Sequence, residues 1–495
     1  MKILFVYDEL RLDIPGFTGY THEGLMTLSA CCKAAGHQTD LLHITQPLSD
    51  DDFGSELKHR DFDAIGFSSV SATFPDVRRL IPVARRLYPT APILYGGVHP
   101  ALDPERSIEI PGVTAICRGE AEDALVELLD RLQSDGDISD VRNFWVRVGN
   151  NISRNSIRPL VTDLDTLPLP DFDLFDVPNL FSTREKTAPL TASRGCPYMC
   201  TYCSNHAQRE QYSNKGEYVR FKSVSRTIAE AHQRLSKRSG SDIRFLDFTD
   251  DILPLRKQWF DEFAERYPKE VGVPFACNIL IPLIDRHVVQ QLKAAGCSFI
   301  VFGLESGSER IRRLLRRPRM SNEDVIYATR LIKDAGIFVA SFNILGLPTE
   351  TPAEMLETVK LNAQVGTQKT NAFHFQPYPH TEVHRLSVEL GFYHPDQDLY
   401  NTWKVGPVLR NTGIPDELII FLQRFFFPLV LLYRFGYWLS PRSDHWIDAA
   451  ITRLVFPYPS RMARLTALWE YVYRAAKHVY VRFIMRFWSR RNRHH

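Results

Sequence analysis

From Ala188 onward the chain repeats one unit, a short apolar run followed by a stretch at helical spacing. The runs are Leu190–Ser193, Ile243–Phe248, Pro274–Asn278, Phe299–Gly303, Phe338–Leu345 and Ala372–Gln376. The helical stretches between them are Val224–Leu235, Leu255–Tyr267, Arg286–Ala295, Asn322–Ala335 and Pro352–Val365. Short apolar runs separated by helices demand a parallel sheet, because each helix must carry the chain back before the next strand can start. Six strands with right-handed crossovers predict a partial (β/α)6 barrel, an open relative of the closed eight-stranded fold. Its active site lies at the carboxyl rim of the strands.

The first part of the chain alternates in the same way. Lys2–Tyr7, Gln38–Ile44, Ala64–Ser68, Ile93–Gly96 and Val113–Cys117 read as strands; the spacing of Leu25, Leu28 and Cys32, Pro75–Tyr88 and Glu120–Leu132 read as helices. This predicts an open, doubly wound, Rossmann-like sheet that binds ligands at the carboxyl ends of its strands. The loops there are Asp8–Gly19, Ser69–Thr73 with Ser68 before it, Gly96-Gly97-Val98-His99-Pro100 and Arg118-Gly119-Glu120. Val141–Ser156 reads as a hairpin turning at Gly149-Asn150-Asn151, and Arg158–Thr187 as a linker rich in Pro and Asp. The expected parts are therefore residues 1–140, 141–187, 188–400 and a helical region 401–495.

Three of the eight cysteines stand together as Cys196-Pro-Tyr-Met-Cys200-Thr-Tyr-Cys203. The spacing C-x3-C-x2-C supplies three thiolates where an iron–sulfur cluster usually takes four. A 4Fe–4S cluster held this way leaves one iron open to a ligand. The alternative is a structural zinc site with His206 as fourth ligand, but no second C-x2-C knuckle is present to pair across a fold. The remaining cysteines form no second cluster and no dense disulfide framework, so reduced thiols in the cytoplasm are expected.

Segment Ser193–Cys203 resembles the signature of the radical S-adenosylmethionine (SAM) enzymes. The resemblance implies a cluster on Cys196, Cys200 and Cys203 whose open iron is chelated by SAM. The reduced cluster then cleaves SAM to a 5′-deoxyadenosyl radical. It places Tyr202 near the adenine, Asp250 of Thr249-Asp250-Asp251 at the SAM amino group, and Glu305 and Ser306 of Phe302–Gly307 at its ribose or methionyl end. Asn343 and Gly346 of Asn343–Glu350 fall beside the adenine. Relatives often carry an Arg where this chain has Asn278, so Asn278 is a candidate for the SAM carboxylate. The loops Gly96–Pro100 and Arg118–Glu122 resemble those of the cobalamin-binding branch. They imply corrin contacts at Ser68, Ser69, Gly96, Gly97, Val98, His99, Gly119 and Glu120. No D-x-H-x-x-G stands in the chain to supply a lower axial His.

The resemblance implies a C-methyltransferase acting on an unactivated carbon, with cobalamin carrying the methyl group. An oxidative cyclase or a lipid- or tetrapyrrole-modifying enzyme of the same layout is the alternative, and a cofactor-binding sensor without turnover is the third reading. The implied partners are a small-molecule or lipid-like substrate and an electron donor such as flavodoxin or ferredoxin. A net charge of +2 gives no footprint for nucleic acid. The charge is uneven, however. Val405–His495 carries 14 Lys and Arg against 5 Asp and Glu, and it crowds aromatics into Phe421–Trp438. This tail has two readings, an element at a membrane interface or a helical cap on the barrel. The uncharged run Phe425–Tyr433 is too short to span a bilayer, and the N-terminus lacks a signal-peptide pattern. The expected location is the cytoplasm, with peripheral membrane contact under the first reading.

Overall fold

The computed structural model describes residues 1–9, 16–212, 216–236, 242–317, 320–399 and 406–469. Among them the chain divides into two compact units, the first Met1–Gly303, Arg313–Ala340 and Gln376–Val405, the second Leu304–Arg312, Ser341–Phe375 and Gly406–His495.

The first unit begins with β1 (Lys2–Asp8), β2 (Gln38–Ile44), β3 (Ala64–Ser68), β4 (Ile93–Gly96), β5 (Ala115–Cys117), β6 (Phe144–Val148) and β7 (Asn151–Arg154). They form one sheet in the order β2-β1-β3-β4-β5-β6-β7. The first five strands are parallel, and the β6–β7 hairpin adds antiparallel at the edge. The side-chain period of two explains why the strands are apolar on both faces. Leu4, Val6, Ile65, Phe67 and Tyr95 pack under helices Asp50–Lys58 and Phe74–Leu87, while Ile3, Phe5, Ala64, Leu94 and Cys117 pack under Glu23–Ala34 and Glu122–Gln133. The strand order reverses between β1 and β3, the crevice where such sheets take their ligands.

The second sheet contains β8 (Thr187–Leu190), β11 (Phe245–Phe248), β12 (Phe275–Ile279), β13 (Cys297–Glu305), β14 (Phe338–Leu345) and β15 (Lys369–His374). Its order is β15-β14-β13-β12-β11-β8, so the strands follow chain order and the first and last do not meet. The registers of β8, β11, β12 and β13 are parallel. Helix Lys257–Glu270 covers the outer face, where Phe248, Phe263, Tyr267 and Phe275 meet edge to face. A separate antiparallel pair, β9 (Ser193–Arg194) with β10 (Arg220–Phe221), follows β8.

Several expected boundaries move, two of them beside the sites. The first barrel strand is Thr187–Leu190, not Leu190–Ser193, because Pro189 is tolerated in an edge strand and does not delay its start. The loop expected at Gly96–Pro100 turns helical at Val98, so only its two glycines remain extended or strained. The carboxyl half of the Asp8–Gly19 loop begins at Gly16, since residues 10–15 lie outside the described set, as does the Arg-rich stretch Arg482–Arg493.

In the second unit, helix Pro352–Val365 packs with helices Asp416–Arg424 and Phe426–Leu439 around a core of Leu356, Val359, Leu422, Phe426, Val430 and Tyr433. The capping box Thr351–Glu354 starts the first of these and a left-handed Gly366 ends it. Among the described residues no single helix is long and apolar enough to cross a membrane.

Candidate functional site

The cysteine loop is built by its neighbours. Gly195 has φ +85°, and a Cβ there would lie 2.5 Å from the Tyr218 carbonyl oxygen, so only glycine fits the turn into Cys196. Thr201, between the second and third cysteines, is held from three sides. Its N–H and Oγ1 donate to the carbonyls of Leu315 and Leu314 at 3.0 Å each, and its own carbonyl accepts from Val383 N at 3.1 Å. Helix Ser204–Gln211 starts directly after Cys203, which turns the positive end of its dipole towards the loop. The three thiols lie within electrostatic reach of one another. Burial pushes Cys196 up to about 12, with Asp251, Cys203 and Cys200 adding to the effect.

Three neighbouring thiols, Cys200 buried and Cys196 and Cys203 half-buried, fit a site completed by cationic iron. Among the described residues no three His, Cys, Asp or Glu side chains converge on a single-ion site. A cubane does not require that, since its ligands bind different irons. The zinc alternative does, and His206 is turned elsewhere: its Nε2 lies 3.6 Å from Glu210 and from Glu382.

Around the loop stand the groups that suit a polar, zwitterionic ligand. Asp250 is buried and its carboxylate accepts from Ala192 N at 3.1 Å and from Ser193 Oγ, while burial raises it to about 6. It therefore fastens the start of the cysteine loop. Its neighbour Asp251 accepts from Asn205 Nδ2 at 3.0 Å and is the carboxylate that acts on Cys196. Asn278 donates to the Asp250 carbonyl at 2.9 Å. The nearby cation is Arg317, which sequence reasoning missed. Its Nη1 lies 3.7 Å from Cys200 Sγ and 3.5 Å from the Tyr202 hydroxyl, and its Nη2 donates to Gly303 O at 2.6 Å. Arg317 stands in a run of arginines with no pattern to single it out.

In the second unit Glu305 ends β13 with φ +65°, an uncommon conformation for a non-glycine residue. Ser306 is fully buried and accepts at its carbonyl from Arg312 at 2.7 Å. A Cβ at Gly307 would strike the Glu357 carbonyl at 2.3 Å, so the turn that presents Glu305 is pressed against helix Pro352–Val365. Asn343 is also fully buried. It donates to Ser341 Oγ and Asn371 O and accepts from Asn362, which makes it a brace between strand and helix. Gly346, at φ +77°, donates to Glu350 at 2.8 Å.

At the carboxyl ends of β1, β3, β4 and β5 lies a cavity of about 400 Å³. Its floor is apolar (Ile3, Phe5, Leu94, Phe144) and its rim carries Ser68, Gly96, Gly97, Val98, Gly119 and Glu120. Gly97 has φ +99°, and a Cβ would lie 2.5 Å from Ser69 O; one at Gly119 would lie 2.9 Å from the Tyr212 hydroxyl. An apolar floor with a glycine rim suits a large flat ligand that must approach backbone closely. Two expected residues do not line it. Ser69 Oγ is bonded to the Tyr95 hydroxyl at 2.6 Å. His99 stacks on Phe74 at 3.9 Å with Nδ1 3.1 Å from Ser71 Oγ, and burial, then Arg106, lowers it to about 3. A second cavity of about 380 Å³ is lined by Tyr20, Thr21, Pro189, Asp247 and Thr249. The two share His22, Glu23, Gly24 and Thr191 as a common wall.

A model of the radical SAM superfamily matches residues 190–361, and one of the B12 binding domain matches residues 18–129. The chain belongs to the cobalamin-binding radical SAM enzymes. Its cofactors are accordingly a 4Fe–4S cluster, SAM and cobalamin. It is 24% identical to an uncharacterized methyltransferase of Pyrococcus horikoshii over 78% of this chain and 83% of that one. It is 22% identical to the anaerobic magnesium-protoporphyrin IX monomethyl ester cyclase of Rubrivivax gelatinosus over 79% and 70%. In fold it is similar to the radical SAM methyltransferase TsrM of Kitasatospora setae, solved with cobalamin and a [4Fe-4S] cluster bound (TM-score 0.62, 15% identity, 79% and 75% of the two chains).

Glu120 links the two halves of this radical SAM enzyme's first unit. It accepts from Arg194 Nη1 at 2.9 Å, from both Nη atoms of Arg220 at 2.9 Å, and from Val161 N at 3.0 Å. Burial acts to raise its carboxyl, but Arg220 and Arg194 outweigh that and hold it below the usual range. Arg194 lies two residues before Cys196, so the rim of the first cavity and the cysteine loop share one carboxylate.

Proposed function

We propose that this enzyme transfers a methyl group to an unactivated carbon of a small molecule. The observation that carries the reading is the shared wall. The corrin cavity and the cavity at the ends of β8 and β11 adjoin at His22, Glu23, Gly24 and Thr191, with Arg194 of the cysteine loop on the rim of the first. A substrate in the second cavity would thus lie against the corrin cavity at Thr191, which stands shortly before Cys196 in the chain.

When bound, the cluster supplies reductive cleavage of SAM and the corrin supplies a methyl carrier. The chain's own residues bind and orient. Residues 188–400 hold the cluster through Cys196, Cys200 and Cys203. Asp251 faces the SAM amino group, Arg317 the SAM carboxylate and Tyr202 the adenine. Asp250 keeps the loop in register. Residues 1–140 would hold the corrin at Ser68, Gly96, Gly97, Val98, Gly119 and Glu120. The hairpin and linker, 141–187, seal the sheet edge. Thr191, Thr249 and Asp247 present polar groups to substrate. The electron comes from a flavodoxin- or ferredoxin-type donor, and the enzyme works in the cytoplasm.

Anaerobic reconstitution followed by turnover with methyl-deuterated SAM tests the reading. Formation of S-adenosylhomocysteine together with 5′-deoxyadenosine, with label retained in product, supports it. The cyclase of Rubrivivax gelatinosus, alike over most of this chain, supports the second reading, oxidative cyclisation. In that case 5′-deoxyadenosine forms and no label enters product.

A further inference from the structure

Helix Phe426–Leu439 is apolar almost all the way round; Arg434 is its one charged residue. A helix of that kind has to be covered on every side or to meet an apolar medium. Half of it is covered. Phe426, Leu429, Val430 and Tyr433 enter the core with helix Pro352–Val365, and Arg434 donates to Thr367 O at 2.8 Å. The opposite half is bare. Leu431, Leu432, Phe435, Trp438 and Leu439 repeat at three- and four-residue spacing on one side and are 45, 45, 58, 77 and 63% exposed. Trp446, on the next helix (Asp444–Leu454), is 81% exposed. Contiguous exposure of large apolar side chains on this scale marks a contact surface.

The charge pattern says which surface. Arg442, Arg453, Arg461 and Arg464 are exposed in the same region, and none of the four takes part in an ion pair with a described carboxylate. The tail from Val405 holds nearly three cations for each anion. A protein partner that buried this face would leave the arginines to be matched separately. A membrane interface answers both demands at once, taking tryptophan and leucine at acyl-chain depth and guanidinium groups at the phosphates. Helix Phe426–Leu439 bends by 67° from helix Asp416–Arg424, so a surface helix lying in the interface is the geometry available, not a straight span.

We propose that the exposed face of Phe426–Leu439, with Trp446, is a docking surface for an anionic lipid bilayer. The inference stands apart from the methyl-transfer reading, which rests on the first unit.

The test is flotation of the full-length protein with vesicles of phosphatidylcholine alone and of phosphatidylcholine mixed with phosphatidylglycerol. Wild type should float with the mixed vesicles, more weakly with the neutral ones, and less as salt rises. F435E/W438E should lose vesicle binding by about tenfold or more, with unchanged circular dichroism. W446E, on a separate helix, should weaken it independently, and R442E/R453E should remove the preference for anionic lipid. The proposal is overturned if wild type floats with neither vesicle, or if both aromatic variants float like wild type. It is equally overturned if the bare face proves to hold a second copy of the chain, seen as a mass by light scattering that falls to the monomer in F435E/W438E without any vesicle binding.

Discussion

Replacing Glu120 with alanine strips Arg220 of its counter-charge. Arg220 is 5% exposed at its side chain, and its remaining acceptors are the carbonyls of Val161 at 2.8 Å and Tyr218 at 3.4 Å. Arg194 is better placed, because Glu122 still faces it at 2.7 Å. One buried cation is therefore orphaned, not two. Breaking a buried pair by deleting one partner costs about 3–5 kcal/mol, and the surviving carbonyls put E120A at about 3 kcal/mol. E120Q keeps an oxygen for one guanidinium and loses the charge, so about 1–2 kcal/mol is expected. Urea unfolding of the cofactor-free protein, followed by tryptophan fluorescence, reads these differences. Lys269→Ala, which breaks a solvent-exposed pair with Glu265, serves as the neutral comparison. If E120A unfolds with K269A and wild type, the shared-carboxylate account is wrong.

Gly195→Ala should leave global secondary structure intact and reduce iron bound after reconstitution several-fold, since the left-handed turn and the Tyr218 carbonyl both oppose a Cβ; normal iron content would refute the loop geometry. Burial raises Glu350 to about 8 even though Gly346 and Leu347 donate to it, and its Oε1 has no partner. The folded carboxyl thus holds its proton more tightly than the unfolded one, so stability is highest below the unfolded value and falls as pH rises through the folded value. Glu350→Gln should flatten that decline, which a series of urea midpoints across the window would reveal. Arg317→Ala should raise the KM for SAM while leaving iron content unchanged, as measured by 5′-deoxyadenosine release and iron assay.

The strands richest in apolar and β-branched residues were plain from their letters. Gln38–Ile44, Ala64–Ser68, Ile93–Gly96 and Phe338–Leu345 fall where the alternation predicts them. Strand β15 begins three residues earlier than its apolar run, because Lys369, Thr370 and Asn371 pair in the sheet without carrying an apolar signal. The cysteine spacing likewise announced its chemistry. What the letters withheld was direction. Ser68 and Ser69 are adjacent, yet one meets the cavity and the other turns to Tyr95, a difference set by the pleat. His99 looks like a ligand in a glycine-rich loop, but the helix starting at Val98 carries it onto Phe74. Arg317 becomes visible only when the chain returns to the cysteine loop over more than a hundred residues.

The ion cluster at Glu120 also bears on how such an enzyme can be rebuilt. The turn after β5 and the β9–β10 pair beside the cysteine loop are fastened by charges drawn from both, Glu120 and Glu122 from the first, Arg194 and Arg220 from the second. Neither segment is a free-standing cassette. A chimera that borrows a B12 domain from another source must bring two carboxylates to these positions, or two guanidinium groups will lose their counter-charges.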